Sequence, residues 1–144
     1  MTLAEGLRAF LLDDAAIAAV VVARVYPGRL PQKAFSGPND GAALVLTNIS
    51  ERSPQHLRGT GGLSTTLYQV DAWARTFDAA TALGRLCRAR LDGYTGIWSD
   101  SGSPAVDLRV TVLFDESRDL VEADIQGGLY RQSTDYKISW QPVS

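Results

Sequence analysis

Two residue types that most often carry chemistry occur once each in this sequence, His56 and Cys87. A structural zinc site needs four Cys or His ligands, so the composition argues against one. A lone cysteine excludes an intrachain disulfide. His56 stands between Pro54 and Gly59, outside any recognisable catalytic context, and no Gly-x-Ser-x-Gly elbow is present. A Ser-His-Asp triad could be drawn from the many Ser and Asp, but that freedom empties it of weight. His56 therefore reads as an exposed loop histidine. Cys87 falls on an apolar helical stripe and reads as a small packing residue. A reactive thiolate would need a setting that lowers its pKa, and neighbouring Arg88 lies on another helix face. Gly59-Thr60-Gly61-Gly62 resembles a phosphate loop only at first glance. It lacks the Gly-Lys-Ser/Thr ending and precedes a strand, as the flexible tip of an arm or hairpin would.

Two charge clusters remain. Arg85, Arg88 and Arg90 crowd the end of a helix. They read as a phosphate patch, or as cations that suit the helix dipole on a solvated face. Asp115, Glu116, Asp119, Glu122 and Asp124 place five acids within ten residues. Their offsets do not match a calcium loop, and carboxylate-pair catalysis needs a partner cleft that the sequence does not display. They read as a solvated loop between two strands, or as a negative surface that repels DNA or docks a basic partner. No catalytic residue, metal or cofactor is assigned.

The elements that must position these residues follow from periodicity. Thr2 and Glu5 have capping-box spacing, and Leu3, Leu7, Phe10 and Leu11 then mark one buried helical face. Asp13 and Asp14 interrupt it and can cap a second short helix with Ile17, Val20 and Val21 as its stripe. Pro27-Gly28 punctuates the chain. The stretch from Arg29 to Gly41 is a loop of unusual length, either functional or mobile, or a variable surface connection. Strands are expected over 43–50 and 67–74. The intervening Glu51–Thr66 is too long for a tight hairpin and is either a disordered loop or a projecting arm. Thr76 can cap a third helix burying Ala80, Leu83, Cys87 and Leu91, with Gly93 after its end. Alternation predicts further strands over 106–114 and 130–140, with a shorter one over 94–98. The fold class is α+β: an antiparallel sheet of about four or five strands, helices packed on one face, and long projecting loops.

At 144 residues and 45% hydrophobic content, the chain fits a single domain, 1–144, with a core of its own. The formal net charge of -2 argues against a dedicated nucleic-acid or anionic-membrane binder. Residues 99–144 alone carry -4, leaving +2 on the rest. The longest apolar run, Ala15 to Ala23, is about half of the roughly 18 residues that a membrane span needs. The N-terminus lacks the pattern of a secretory signal, so synthesis in the cytoplasm is expected.

Three short motifs in order resemble the tail-completion (tail-terminator, or tail-to-head joining) proteins of long-tailed phages and phage-like particles. They are Leu11-Leu12-Asp13-Asp14-Ala15-Ala16-Ile17 continuing to Arg24-Val25-Tyr26-Pro27; Tyr68-Gln69-Val70-Asp71-Ala72-Trp73 running into the helix Asp78 to Leu91; and Arg118-Asp119-Leu120 followed by Gly128-Leu129-Tyr130-Arg131. The resemblance implies a structural, non-enzymatic subunit made in the host cytoplasm. It would assemble as a homo-oligomer, typically a hexameric ring, at the head–tail junction of a virion, prophage-derived particle or gene transfer agent. Its implied partners are the tail-tube protein and a head-completion or connector protein. DNA would pass through the lumen without specific binding, and no membrane is involved. Within that picture Arg52, His56, Leu57, Arg58 and Leu63 are candidates for subunit or partner contacts. Asp115, Glu116, Asp119, Glu122 and Asp124 are candidates for an acidic lumen, which would let DNA slide, or a docking loop. The competing expectation is a small cytoplasmic α+β ligand-binding or enzymatic domain, which requires a concave pocket with converging polar groups. A nucleic-acid binder using Arg85, Arg88 and Arg90 would instead show steeply salt-dependent DNA retention.

Overall fold

Each helix starts where a side chain caps it. Thr2 Oγ1 accepts the Glu5 N–H at 3.1 Å while the Glu5 carboxylate accepts the Thr2 N–H at 3.0 Å, the reciprocal pair of a capping box. This opens α1 (Leu3–Leu12). The Asp14 carboxylate accepts from the Ala16 and Ile17 N–H groups and opens α2 (Ala15–Val21). Thr76 Oγ1 accepts from Ala79 N–H and opens α3 (Phe77–Leu91). The expected stripe of α3, Ala80, Leu83, Cys87 and Leu91, is buried throughout. Gly93 takes a left-handed φ of 78° just beyond it, the backbone that glycine adopts without a Cβ clash. On α2 the expected stripe is narrower: Ile17 and Val21 are buried, but Val20 is exposed.

The computed structural model describes residues 2–31, 35, 41–52, 55–56, 59–60, 63–99, 107–122 and 129–143. Its strands are β1 (Val25–Pro27), β2 (Ala42–Arg52), β3 (Gln55–His56), β4 (Gly59–Thr60), β5 (Ser64–Ala74), β6 (Thr95–Trp98), β7 (Leu108–Glu122) and β8 (Leu129–Pro142). Six of them form one sheet in the order β1-β2-β5-β8-β7-β6, and β3 pairs with β4 as a separate ribbon. The expected α+β class is found, with two corrections. The sheet has six strands rather than four or five, and it is not purely antiparallel, because β1 runs parallel to β2. Three residues ending in a proline are too short to show a period, so β1 reads in sequence as a breaker.

Even-numbered side chains of the sheet (Leu44, Leu46, Val70, Ala72, Val110, Val112, Tyr136, Ile138) join Leu7, Leu11, Ile17, Val21, Leu83 and Leu91 of the helices in one core. The opposite face carries a smaller apolar cluster of Val45, Trp73 and Leu129, against which Leu30 and Phe35 pack. The expected long loop thus reaches that face through Leu30 and Phe35, and Arg75 donates to the Phe35 carbonyl at 2.6 Å; 32–34 and 36–40 lie outside the described residues. Between β2 and β5 the chain is an arm rather than a loop: β2 and β5 stay paired out to Arg52 and Thr65, and β3 and β4 pair beyond them.

Val22 ends α2 with φ 49° and ψ 58°, a left-handed conformation that costs a branched side chain about 1–2 kcal/mol. It is also 72% exposed, so its side chain adds little packing. Val22→Gly removes that strain at a smaller cost in unfolded-chain entropy. The variant is expected to gain about 1 kcal/mol in urea titration, and a loss of stability would show that Val22 is not strained.

Candidate functional site

Register fixes where the candidates sit. The arm leaves the sheet at Arg52 and returns at Ser64, level with Trp140 of β8. The β7–β8 hairpin turns at the other end of the sheet, where Glu122 is opposite Leu129 and Tyr130 is opposite Ala74. The ten steps along β5 between these ends span about 34 Å. Arg52 and Leu63 at one end and Glu122 at the other are therefore too far apart for one site, while Asp115 and Glu116 lie midway, Glu116 level with Gln69. Arg52 and Leu63 are exposed at the base of the arm. His56 is in β3, opposite Gly59 of β4. Leu57, Arg58 and Asp124 lie outside the described residues. The acidic segment is not the expected loop between strands: Asp115, Glu116, Asp119 and Glu122 all belong to β7. A register shift between Phe114 and Glu116 places Asp115 at a bulge, within 3.9 Å of the Lys137 ammonium. The bulge breaks the apolar alternation at that point, which is why the strand reads as ending there.

The most connected polar group lies on the face of the sheet away from the helices. Arg118 of β7 donates to both carboxylate oxygens of Asp135 on β8, at 3.2 and 3.3 Å, and to Gln69 Oε1 of β5 at 3.1 Å. Gln69 Nε2 in turn donates to both Asp71 oxygens, at 3.1 and 3.0 Å. Arg131 Nη1 approaches Asp71 at 3.8 Å, and its guanidinium lies over the Trp73 ring, 5.1 Å from its centroid. Asp71 and Asp135 are both buried. The hydrogen bond to Asp135 holds the Arg118 proton more tightly than usual, opposed by desolvation and helped by the charges of Asp135, Glu116 and Asp71. Fixed forks of this kind suit carboxylates better than a lysine does. The network ties three adjacent strands together where no helix covers them. Sequence reasoning assigned none of these residues a role. The signal was present, since Gln69, Asp71, Arg118 and Arg131 all stand within the motifs quoted above; only the cross-strand register shows that they meet.

The other candidates resolve into packing. Cys87 is 1% exposed, and burial, with the charge of Asp14 adding, pushes its thiol up to about 12. That is the opposite of activation. Of the three helix arginines, Arg88 sits 3.8 Å over the Phe114 ring and Arg90 3.8 Å over the Phe10 ring. Arg90 also donates to the Phe10 carbonyl at 3.1 Å and approaches Asp13 at 3.8 Å. Two of the three are thus committed to aromatic stacks rather than to one phosphate. A cavity of about 500 Å³ opens between α1 and β6, lined by Phe10, Arg90, Tyr94, Ile97 and Trp98 among others. Its cation is the already committed Arg90. Among the described residues no three His, Cys, Asp or Glu side chains gather as a metal site, and no helix is long and apolar enough to cross a membrane.

Comparison with known proteins adds a family and a fold. Residues 5–138 match the family model described as "Tail completion protein gp17". No curated protein matches the sequence. A chain in a solved structure described as "Virion of native gene transfer agent (GTA) particle" superposes with a TM-score of 0.65 at 19% identity, covering 96% of this chain and 94% of that one. At that identity the likeness establishes the shared fold.

Two measurements test this account of the polar network and the buried acids. Arg118→Met leaves the buried Asp135 without its paired cation and leaves Asp71 with Arg131 alone. It is expected to cost roughly 1–3 kcal/mol, the range for a broken buried pair discounted because the guanidinium is 37% exposed. The double variant Arg118→Met/Asp135→Leu removes both charges and is expected to cost less than the sum of the two singles in urea titration; strict additivity would show that the pair is not coupled. Alkaline stability follows from Cys87, Tyr136 and Tyr68, all raised first by burial. The unfolded thiol ionises at about 8.5 and the folded one at about 12. Its contribution is therefore fully present below about pH 8.5 and lost as pH rises toward 12, and the tyrosines act in the same direction from about pH 10. The urea midpoint should stay flat from pH 7 to 8 and fall above 9, and Cys87→Ala should flatten the first part of that fall.

Proposed function

The chain belongs to the tail completion protein gp17 family, and from that premise we propose that its copies close a ring, typically a hexamer, on the end of a phage-type tail tube. The ring stops tube polymerisation and presents a surface to the head-completion or connector protein, with its lumen open to DNA. Membership makes the chain a structural component of a tailed particle. The fold shared with a chain of a gene transfer agent virion supports a particle of that kind as well as an infectious phage. The match across residues 5–138 carries this reading. It is consistent with a chain whose cysteine is buried and whose Arg88 and Arg90 stack on aromatic rings.

The placement of the candidates fits two different ends. The arm that carries Arg52, His56 and Leu63 leaves one end of the sheet and is suited to reach a neighbouring subunit or a partner, a role that Leu57 and Arg58 would share by their place in the sequence. Asp115, Glu116, Asp119 and Glu122 run along β7 from its middle toward the other end and, with Asp124 following in sequence, are suited to an acidic lumen lining or a docking edge. A subunit between a tube and a connector needs two unlike ends, and strands spanning about 34 Å separate them.

The test is particle assembly without the protein. Negative-stain microscopy of a deletion strain should show tails of irregular length and heads without tails. Normal-length tails joined to heads in that strain would overturn the proposal. Light scattering on the purified chain should give the mass of a ring alone or in the presence of tail tubes, and one protomer's mass in both would also overturn it.

A further inference from the structure

The two edges of the sheet differ in a way that says how copies meet. Beyond β1 the sheet is closed to strand addition. The Val25 N–H bonds to the Ala23 carbonyl at 2.9 Å, the Val25 carbonyl accepts Arg8 Nε at 3.2 Å, Pro27 has no N–H, and the Pro27 carbonyl accepts Arg29 N–H at 2.9 Å. Side-chain and proline blocking of this kind is how sheets suppress unwanted pairing. But β1 covers only Leu44 to Leu46 of β2. From Asn48 to Arg52 the outer side of β2 has no strand beside it among the described residues. The opposite edge has the reverse profile. There β6 covers β7 at the arm end, from Leu108 to Thr111, and the Gly93 and Tyr94 backbone and the Asp92 carboxylate extend that cover to Phe114. From Glu116 to Glu122 the outer side of β7 has no strand beside it among the described residues.

β6 itself is open. The Tyr94 carbonyl accepts the Val112 N–H, so by antiparallel alternation Gly96 and Trp98 continue the bonded row while Thr95 and Ile97 turn their backbone groups outward. Ile97 is 48% exposed on that edge. Thus one edge protrudes at the arm end and is recessed at the hairpin end, and the other edge does the opposite. β2 and β6 also run in the same direction, since four antiparallel pairings separate them. Two copies side by side with strands aligned therefore fit step into step.

We propose that copies of this chain join head to tail through these stepped edges, β6 of one copy continuing onto the Glu51–Arg52 end of β2 in the next. The acidic half of β7 then lies against the arginine-flanked β1 of that next copy. Carried across the sheet by the register, Thr95 is level with Thr111, Ser139, Thr65 and Arg52. By the same route Glu116 is level with Asp135, Gln69 and Thr47, one position past the Pro27–Leu46 pair and so beside Arg29. Asp119 is level with Gln132, Ala72, Leu44 and Val25, beside Arg24. Glu116 of one edge thus falls one position from Arg29 of the other, and Asp119 one position from Arg24, whose guanidinium also donates to the Val21 carbonyl and lies over the Phe35 ring. Glu116 and Arg29 are both exposed. Opposite charges at neighbouring levels favour one register and disfavour pairing of like edges. This inference rests on the ring reading, because a head-to-tail contact repeated by rotation is what closes a ring. It takes the docking rather than the lumen role for the acids.

Charge swapping tests it. Arg29→Glu and Glu116→Lys should each reduce ring formation at least tenfold at a fixed protein concentration, and the double variant should restore it, with thermal melting confirming that each variant folds. A second measurement uses engineered thiols, with Cys87 buried and silent. Thr95→Cys mixed with Arg52→Cys or Glu51→Cys should give a disulfide-linked dimer under mild oxidation of rings or assembled tails, and neither should link to itself. Rings or tails that form normally without rescue and without this cross-link would overturn the edge contact while leaving the ring reading intact. Thr95→Cys linking to itself would overturn it in favour of two-fold pairing. Absence of both rings and tail defects would overturn the two together.

Discussion

A single guanidinium holds the uncovered half of this sheet together. Three helices bury one face, and apolar contact alone orders the strands there. On the other face the strands β5, β8 and β7 carry Asp71, Asp135 and Glu116, with Glu116 directly opposite Asp135. Like charges in register repel. Arg118, two residues along from Glu116, offsets this by taking both oxygens of Asp135 and reaching Gln69 on the strand beyond. Without it the buried carboxylate of β8 would lose its paired counter-charge, that of β5 would keep Arg131 alone, and β7 would lose its tie to the middle of the sheet.

That arrangement gives the sheet specificity that an apolar face would not. A one-residue slip of β7 against β8 would move Arg118 away from Asp135 and bring the acids closer to one another. The bulge at Asp115 acts in the same place. It shifts the register so that Glu116 and Arg118, rather than Asp115 and Ser117, face outward on the side of Gln69 and Asp71, while Asp115 still finds Lys137. A second, apolar corner completes the face where Trp73, Val45 and Leu129 meet Leu30 and Phe35, and Arg131 links it to the network by lying over Trp73.

What was legible in the sequence was what is local. Thr2, Asp14 and Thr76 cap helices through N–H groups two or three residues away, so their spacing alone announces them. The buried stripe of α3 is legible for the same reason. Features that depend on a partner strand were not. β1 is three residues long and is defined by what β2 offers it. The second half of β7 hides behind a bulge that interrupts the alternation. The ion network joins residues 49 and 17 positions apart in sequence, and no periodicity links Gln69 to Arg118. The family motifs did contain these residues, so the resemblance carried information about the outer face that pattern reading could not extract. Asp115, Glu116, Asp119 and Glu122 lie in β7 rather than in the expected loop, because five carboxylates in ten residues look more like a solvated turn than a strand at the side of a sheet.

Edge position gives those acids a physical reason apart from any partner. A strand with free backbone groups on one side is a template for uncontrolled pairing, and charge is the usual deterrent. This protein treats its two edges differently. Arg8 and Pro27 close the β1 edge at the backbone, while among the described residues the outer side of β7 from Glu116 to Glu122 has no strand beside it and carries acidic positions, Glu116 exposed among them. A carboxylate guard is conditional where a proline is permanent, since it yields to a surface that carries the opposite charge at the right spacing. The edge that supplies such spacing is the arginine-flanked one on the same chain. A sheet whose acidic edge is complemented by its own opposite edge favours head-to-tail association and disfavours the two-fold pairing that identical edges would otherwise allow. Directionality of this kind needs no catalytic group, and it accounts for where this sequence spends its charge.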